Sequence, residues 1–177
     1  RQIDSLVHNF PYLISFDPYL NYPTGLPLGS MNFFVYLLGG IIWLISLGSP
    51  SSPVVDTISA FFPAVLGALT VIPVYFIGKV LFSRWAGIVA AALIAILPGE
   101  FMGRTILGST DRDALEVLLT TLTMLFLILA LKTAREKRLT FRHLNLQNLS
   151  IMNSPIIYSL LSGIFLGLYL LTWRGAF

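Results

Sequence analysis

Charged residues fall in clusters along this chain, and between the clusters run five apolar stretches, at residues 31–48, 57–78, 85–103, 114–131 and 155–173. A spanning helix needs about 20 predominantly apolar residues, and a Lys, Arg or Asp at its centre costs about 2.5–3.5 kcal/mol, so the charges set the ends of each candidate. The last four stretches read as membrane spans. The second carries Pro63 and Pro73, which a membrane helix accepts where neighbours satisfy the freed carbonyls, so a kinked span is expected. The first stretch has Asn32 near its start and Gly39 and Gly40 in its middle; it fits either a span or a helix lying in the interface. Gly163 and Gly167 form a GxxxG in the last stretch, a spacing that chance supplies readily among membrane helices and that carries no functional weight here.

Composition agrees with a polytopic, all-α membrane protein: 56% of the 177 residues are hydrophobic and 11% charged, against about 25% charged in soluble domains. The absence of cysteine excludes a disulfide framework, a thiolate metal site and a cysteine nucleophile. The chain opens on Arg1 with no targeting pattern and stops just after an apolar stretch, which reads as a piece of a longer polypeptide. Its net charge of +3 does not point to nucleic acid, because Lys132, Arg135, Lys137, Arg138 and Arg142 follow an apolar run instead of forming a readable face. They mark topology. By the positive-inside rule the turn with Lys79 and Arg84 and the basic loop 132–154 are cytoplasmic, and the linker 49–56 and the loop 103–113 face outward. The head 1–30 is cytoplasmic if 31–48 spans and external if it does not. That head mixes aromatics with turn formers, including Pro23, Gly25 and Pro27, and reads as an ordered loop with an interfacial aromatic belt. Asn148, Leu149 and Ser150 form a glycosylation acceptor that is expected to stay unmodified in a cytoplasmic loop.

The outward loop gathers four of the eight acids, Glu100, Asp111, Asp113 and Glu116, with Arg104 and Arg112. Asp111 and Asp113 would diverge by about 200° on a helix but can converge from a turn on one hard cation such as Mg²⁺ or Mn²⁺. Such a cation keeps positions open for a substrate phosphate. Asp113 with Glu116 also has the shape of an N-cap and its acidic partner three residues on. Capping and metal binding need not exclude each other at Asp113. Arg104 fits either a headgroup-snorkelling arginine or a clamp for a diphosphate. His8 and His143 are too far apart in topology to build a histidine site, and no P-loop or HExxH is present.

At this point the residues resemble a family. Arg104, Thr105, Gly108 and the run from Thr110 to Glu116, preceded by Pro63 to Leu69 and Ile94 to Pro98, are similar to the catalytic subunit of oligosaccharyltransferase; the head, with His8, Asn9, Phe10, Pro11, Phe16, Asp17, Pro18 and Tyr19, is most like its archaeal single-subunit form. The resemblance implies a glycosyltransferase-C type bundle of about four spans, 57–177, behind a first external loop, 1–56, whose helix at 31–48 lies parallel to the membrane. It implies transfer of a glycan from a dolichol-type lipid phosphate or diphosphate to asparagine in Asn-X-Ser/Thr, with Mn²⁺ or Mg²⁺, at the outer face of the cell membrane. It makes Asp111 a metal ligand of the second acidic motif, Asp113 its partner and Arg104 a contact to the carrier phosphates. Glu116, Asp17 and His8 remain further candidates. The first-motif acid is expected just before Arg1, because the Asp-Pro-Tyr setting of Asp17 matches a later part of the loop. The downstream glutamate and the soluble sequon-binding domain are expected outside this chain, which alone should be inactive.

Beside a purely structural membrane subunit, two other readings stay open. One is a membrane glycosyltransferase that extends a lipid-linked sugar. The other is an ion-coupled transporter, which predicts acids near the bilayer midplane at broken helices.

Overall fold

A computed structural model describes residues 2–19, 21–27, 33–137 and 149–173. The order is α1 (Gln2–His8), a two-residue antiparallel pair β1 (Phe16–Asp17) and β2 (Leu26–Pro27), α2 (Phe33–Ile45), α3 (Ser52–Leu81), α4 (Arg84–Ile96), α5 (Glu100–Thr105), α6 (Asp113–Glu136) and α7 (Leu149–Thr172). Among the described residues three helices are long and apolar enough to cross a membrane: α3, α6 and Ser154–Thr172 of α7.

The third predicted span, 85–103, is not one helix. Pro98 disfavours helical geometry at the residue before it, and Leu97 turns extended, at φ −66° and ψ 120°, to close α4 after 13 residues. At 1.5 Å per residue α4 is about 20 Å long, short of the roughly 30 Å hydrocarbon layer. The third stretch is therefore a short arm, α4, that runs back along α3, followed by a separate helix, α5, where the outward loop was expected to begin. The first stretch, 31–48, is helical over Phe33–Ile45, and Leu47 and Gly48 then take positive φ. The basic loop expected at 132–154 is narrower, since α6 runs on to Glu136 and α7 starts at Leu149. Asn148 of the acceptor triplet lies outside the described residues. α3 passes both prolines as a single 30-residue helix.

Glycine sets the closest helix approach. A Cβ on Gly78 would lie 2.8 Å from the Cα of Gly87, and one on Gly87 would lie 2.6 Å from the carbonyl oxygen of Tyr75, so α3 and α4 touch backbone to backbone as small residues allow in membranes. Ser83 caps the start of α4, its side chain accepting the Ala86 N–H at 3.2 Å. Gly163 meets nothing within 4 Å, and neither does Gly167, so the GxxxG makes no contact among the described residues.

α7 lies along α6, where Ser162 Oγ donates to the buried Thr123 carbonyl at 3.1 Å and Phe126 stacks on Phe165 at 5.5 Å. The core sits at the other end of α6, near its start. There Leu6 and Val7 of α1, Phe34, Leu38 and Ile42 of α2, Val55 and Leu66 of α3, and Leu115, Leu118 and Leu119 of α6 are buried together. This apolar plug fixes the start of α3 and the start of α6 side by side, and the site is built on top of it.

Candidate functional site

A cleft of about 740 Å³ opens over the core where α3 and α6 begin. Gln2, Ile3 and Asp4 line it from α1, Phe34 and Val35 from α2, Val55, Asp56 and Ser59 from α3, and Arg104, Thr110, Asp111, Arg112 and Asp113 from the charged segment. Four carboxylates and two guanidiniums therefore face one space.

Arg104 organises the acids. From the last turn of α5 its Nη1 donates to Asp111 Oδ2 at 2.6 Å and stands 3.2 Å from Asp113 Oδ2, while its Nε donates to Glu100 Oε2 at 3.3 Å. The hydrogen bond with Asp111 raises the Arg104 pKa most, followed by that with Glu100 and by the charges of Asp113 and Asp111. Arg104 was read as a headgroup-snorkelling arginine or a phosphate clamp; in the structure its guanidinium pairs with the acids of its own segment. Asp111 and Asp113 diverge on no helix, because Asp111 precedes α6, and their Oδ2 atoms meet at a single nitrogen.

The N-cap reading of Asp113 is corrected. Arg112 holds the cap position in helical geometry, φ −69° and ψ −22°, with no side-chain cap bond, and Asp113 is the first residue of the helix. Glu116 does not reach back to cap either; its Oε1 lies 3.3 Å from Arg112 Nε, an ion pair that lacks hydrogen-bond geometry. Both acids still lie in the first turn of α6, where negative charge complements the helix dipole.

His8 and Asp17 are not brought to the cleft. His8 ends α1 with Nδ1 2.9 Å from the Asp4 carbonyl and 3.5 Å from Asp4 Oδ1. Asp17 is buried at β1, its Oδ1 accepting the Tyr19 N–H at 3.0 Å, an Asx-type turn that accounts for an aspartate before a proline. Conversely, Asp4 and Asp56 line the cleft, and sequence reading did not select them. Asp56 was visible as the single acid of the outward linker; Asp4 had no signal, since only folding of α1 onto α2 carries it there.

A second, more apolar groove of about 480 Å³ is lined by Ile94, Phe101, Ala114 and Val117 with Glu100, Arg104, Asp113 and Glu116. It shares Arg104 and Asp113 with the acidic cleft. Carboxylate oxygens converging beside a cationic group, with an excess of acids around them, suit a hard divalent cation. Among the described residues no group of three or more acids, histidines or cysteines is arranged to hold a metal ion.

The family described as "Oligosaccharyl transferase STT3, N-terminal" matches residues 1–177. The chain is 32% identical over 174 residues to the dolichyl-monophosphooligosaccharide–protein glycotransferase AglB of Haloferax volcanii, covering 98% of the chain and 16% of that protein. It is 35% identical over 179 residues to dolichyl-phosphooligosaccharide–protein glycotransferase 3 of Archaeoglobus fulgidus, covering 100% of the chain and 19% of that protein. A solved structure of archaeal AglB from Archaeoglobus fulgidus, in complex with an inhibitory peptide and a dolichol-phosphate, superposes with a TM-score of 0.78 at 32% identity over 97% of the chain and 19% of that structure. A second, tethered with an acceptor peptide containing the NVT sequon, gives 0.77 at 34% identity, again over 97% of the chain and 19% of that structure. The chain thus spans less than a fifth of the length of these relatives, and the part it spans is the helical membrane region with the acidic cleft. It belongs to the STT3 oligosaccharyl transferase family, as an N-terminal, integral-membrane portion.

Proposed function

We propose that this region contributes the metal and carrier-phosphate face of an enzyme that moves an oligosaccharide from a dolichol-type lipid phosphate to asparagine in Asn-X-Ser/Thr. The observation that carries the reading is the meeting of Asp111 and Asp113 on Arg104 in the cleft over the core. Carboxylate oxygens gathered at one point favour positive charge there, which the guanidinium supplies here and which a divalent cation could share.

Asp111 and Asp113 would hold Mn²⁺ or Mg²⁺, which when bound supplies positive charge to the leaving phosphate. The rest falls to the chain's own residues. Arg104 presents several N–H donors in a planar fork and can hand some of them to a carrier phosphate, a geometry lysine lacks. The apolar groove beside Arg104 and Asp113 suits the first isoprene units of such a carrier, and the cleft suits the sugar and the acceptor peptide. In the transfer, the asparagine nitrogen forms a bond to the anomeric carbon. The carbon–oxygen bond to phosphate breaks, the phosphate leaves with the electron pair, and the amide gives up a proton. An amide nitrogen is a poor nucleophile, so carboxylates that accept its N–H bonds and draw it out of resonance lower the barrier. Charge supports an external site: by the positive-inside rule Lys79 and Arg84 mark a cytoplasmic turn, and the cleft lies at the opposite end of α3. A transporter is disfavoured because the acids precede and open α6 instead of interrupting it at mid-depth.

The test is Mn²⁺-dependent transfer of a lipid-linked glycan to an Asn-X-Thr peptide by the full-length protein, comparing wild type with Asp111→Ala. Loss of transfer with unchanged folding supports the assignment. Absence of transfer in the wild type, with activity on a lipid-linked sugar acceptor, would overturn it.

A further inference from the structure

The charged segment is fastened to α3 by a feature that neither the resemblance nor the ion pairs explain. Pro63 has no N–H, so the carbonyl of Ser59, four residues earlier, loses its helical partner. That oxygen accepts the hydroxyl of Thr110 at 3.1 Å. The next carbonyl, of Ala60, accepts the N–H of Gly108 at 2.9 Å, and Gly108 turns the chain there at φ +93°, a conformation glycine adopts without strain. Two helical turns on from Ala60, Gly67 receives the side chain of Thr105: a Cβ at 67 would lie 2.8 Å from Thr105 Cβ. Residues 56, 60, 63 and 67 share one face of α3 by their spacing. The segment from Thr105 to Thr110 is laid along that face, and the next residue is Asp111.

We propose that Pro63 and Thr110 are positioning residues: the carbonyl that Pro63 frees is the dock for Thr110, and this dock sets where Asp111 and Asp113 meet. The hydroxyl holds the loop at the residue before Asp111, from the same helix turn that brings Asp56 and Ser59 to the cleft wall. The carbonyl that Pro63 frees thereby gives the acidic loop a fixed registry on α3. The idea rests on the proposed metal face for its consequence, but the dock itself can be read without it.

Four variants of the full-length protein in detergent decide the matter: Thr110→Val, Thr110→Ser, Pro63→Ala and the double Pro63→Ala with Thr110→Val. Thr133→Val serves as control, because Thr133 also bonds a helical carbonyl, Leu129 at 2.7 Å, but far along α6. The first readout is hydrogen exchange of the segment 105–112; the second is binding of Mn²⁺ alone, followed by its electron paramagnetic resonance. In Thr110→Val, exchange should quicken and Mn²⁺ affinity fall by about tenfold, as for loss of one hydrogen bond. Thr110→Ser should restore both, and Thr133→Val should change neither. In Pro63→Ala, residue 63 regains an N–H for Ser59, so adding Thr110→Val should cost at most about threefold more, a coupling that a double-mutant cycle detects. Unchanged exchange in Thr110→Val, failure of serine to restore it, or an undiminished Thr110→Val effect in the Pro63→Ala background would each overturn the proposal. Should Thr110→Val fail to fold, the serine variant and Pro63→Ala still decide it through exchange. If the wild type binds no Mn²⁺ yet exchange responds as described, the metal reading fails and the dock stands.

Discussion

The two ends of α3 meet different chemical surroundings. At its start Asp56 and Ser59 look into a cleft with Asp111, Asp113 and Arg104, where opposite charges stand 2.6 and 3.2 Å apart. Near its end Lys79 lies 5.8 Å from the ring centre of Tyr75 and 5.7 Å from that of Phe76, and the adjacent turn closes on the Gly78 and Gly87 backbones. About 35 Å of helix separates Asp56 from Lys79. The difference teaches what charge is for at each end. Where acids and arginines hold one another around an open space, geometry is specified and exchangeable with a ligand. Where Lys79 rests on aromatic rings, charge reports orientation and the close packing does the structural work.

The sharpest way to break this contrast is Asp111→Ala, expected to lower glycan transfer by about 100-fold or more, in the range for removing a group that stabilises developing charge; equal activity in wild type and variant would erase the distinction between the ends. Arg104→Lys comes next. A compact ammonium cannot reproduce the fork that reaches Asp111, Asp113 and Glu100 together, so the KM for lipid-linked donor should rise about tenfold while that for peptide stays level. Gly78→Val tests the other end: with backbone 2.8 Å away, it should destabilise the α3–α4 pair by about 1–3 kcal/mol, seen as a lower thermal midpoint in detergent. Lys79→Gln should alter transfer by less than about twofold, the small effect of an exposed charge away from the site.

The pH response separates the ends further. Because pairing raises the Arg104 pKa, its stabilising contacts are fully present below the unfolded value and are lost only as pH climbs past the raised one. Donor affinity should therefore be level between about pH 6 and 9, measured as donor KM against pH. A transition inside that window would assign the donor contact to some other group.

How far this was legible in the sequence varies with the physics involved. Hydropathy located the bodies of α3, α6 and α7, because length and apolarity are additive along the chain. It joined α4 to α5, because a window average ignores what Pro98 does to Leu97. The convergence of Asp111 and Asp113 followed from their falling in a turn, and the structure brings them together on Arg104. The cap assigned to Asp113 did not follow, since a one-residue shift of the helix start puts Arg112 in that place, and end positions are set by tertiary contacts. Asp4 and the dock of Thr110 on Ser59 are contacts across the chain, and no periodicity encodes them. Pro63 was read as a kink alone, whereas the carbonyl it releases finds a partner 51 residues away.

The shortness of α4 has a consequence for the surrounding bilayer. At about 20 Å it leaves a shortfall of roughly 10 Å against the hydrocarbon layer, and the non-helical peptide groups at 97–99 need water or protein to bond with. Where no other protein segment covers this hairpin, lipids beside it thin or headgroup water descends to meet Pro98 and Gly99, close to where α5 and the acidic segment begin. Acyl-chain length is then expected to matter for this region: thinner bilayers would reduce the mismatch at α4, and thicker ones would increase it.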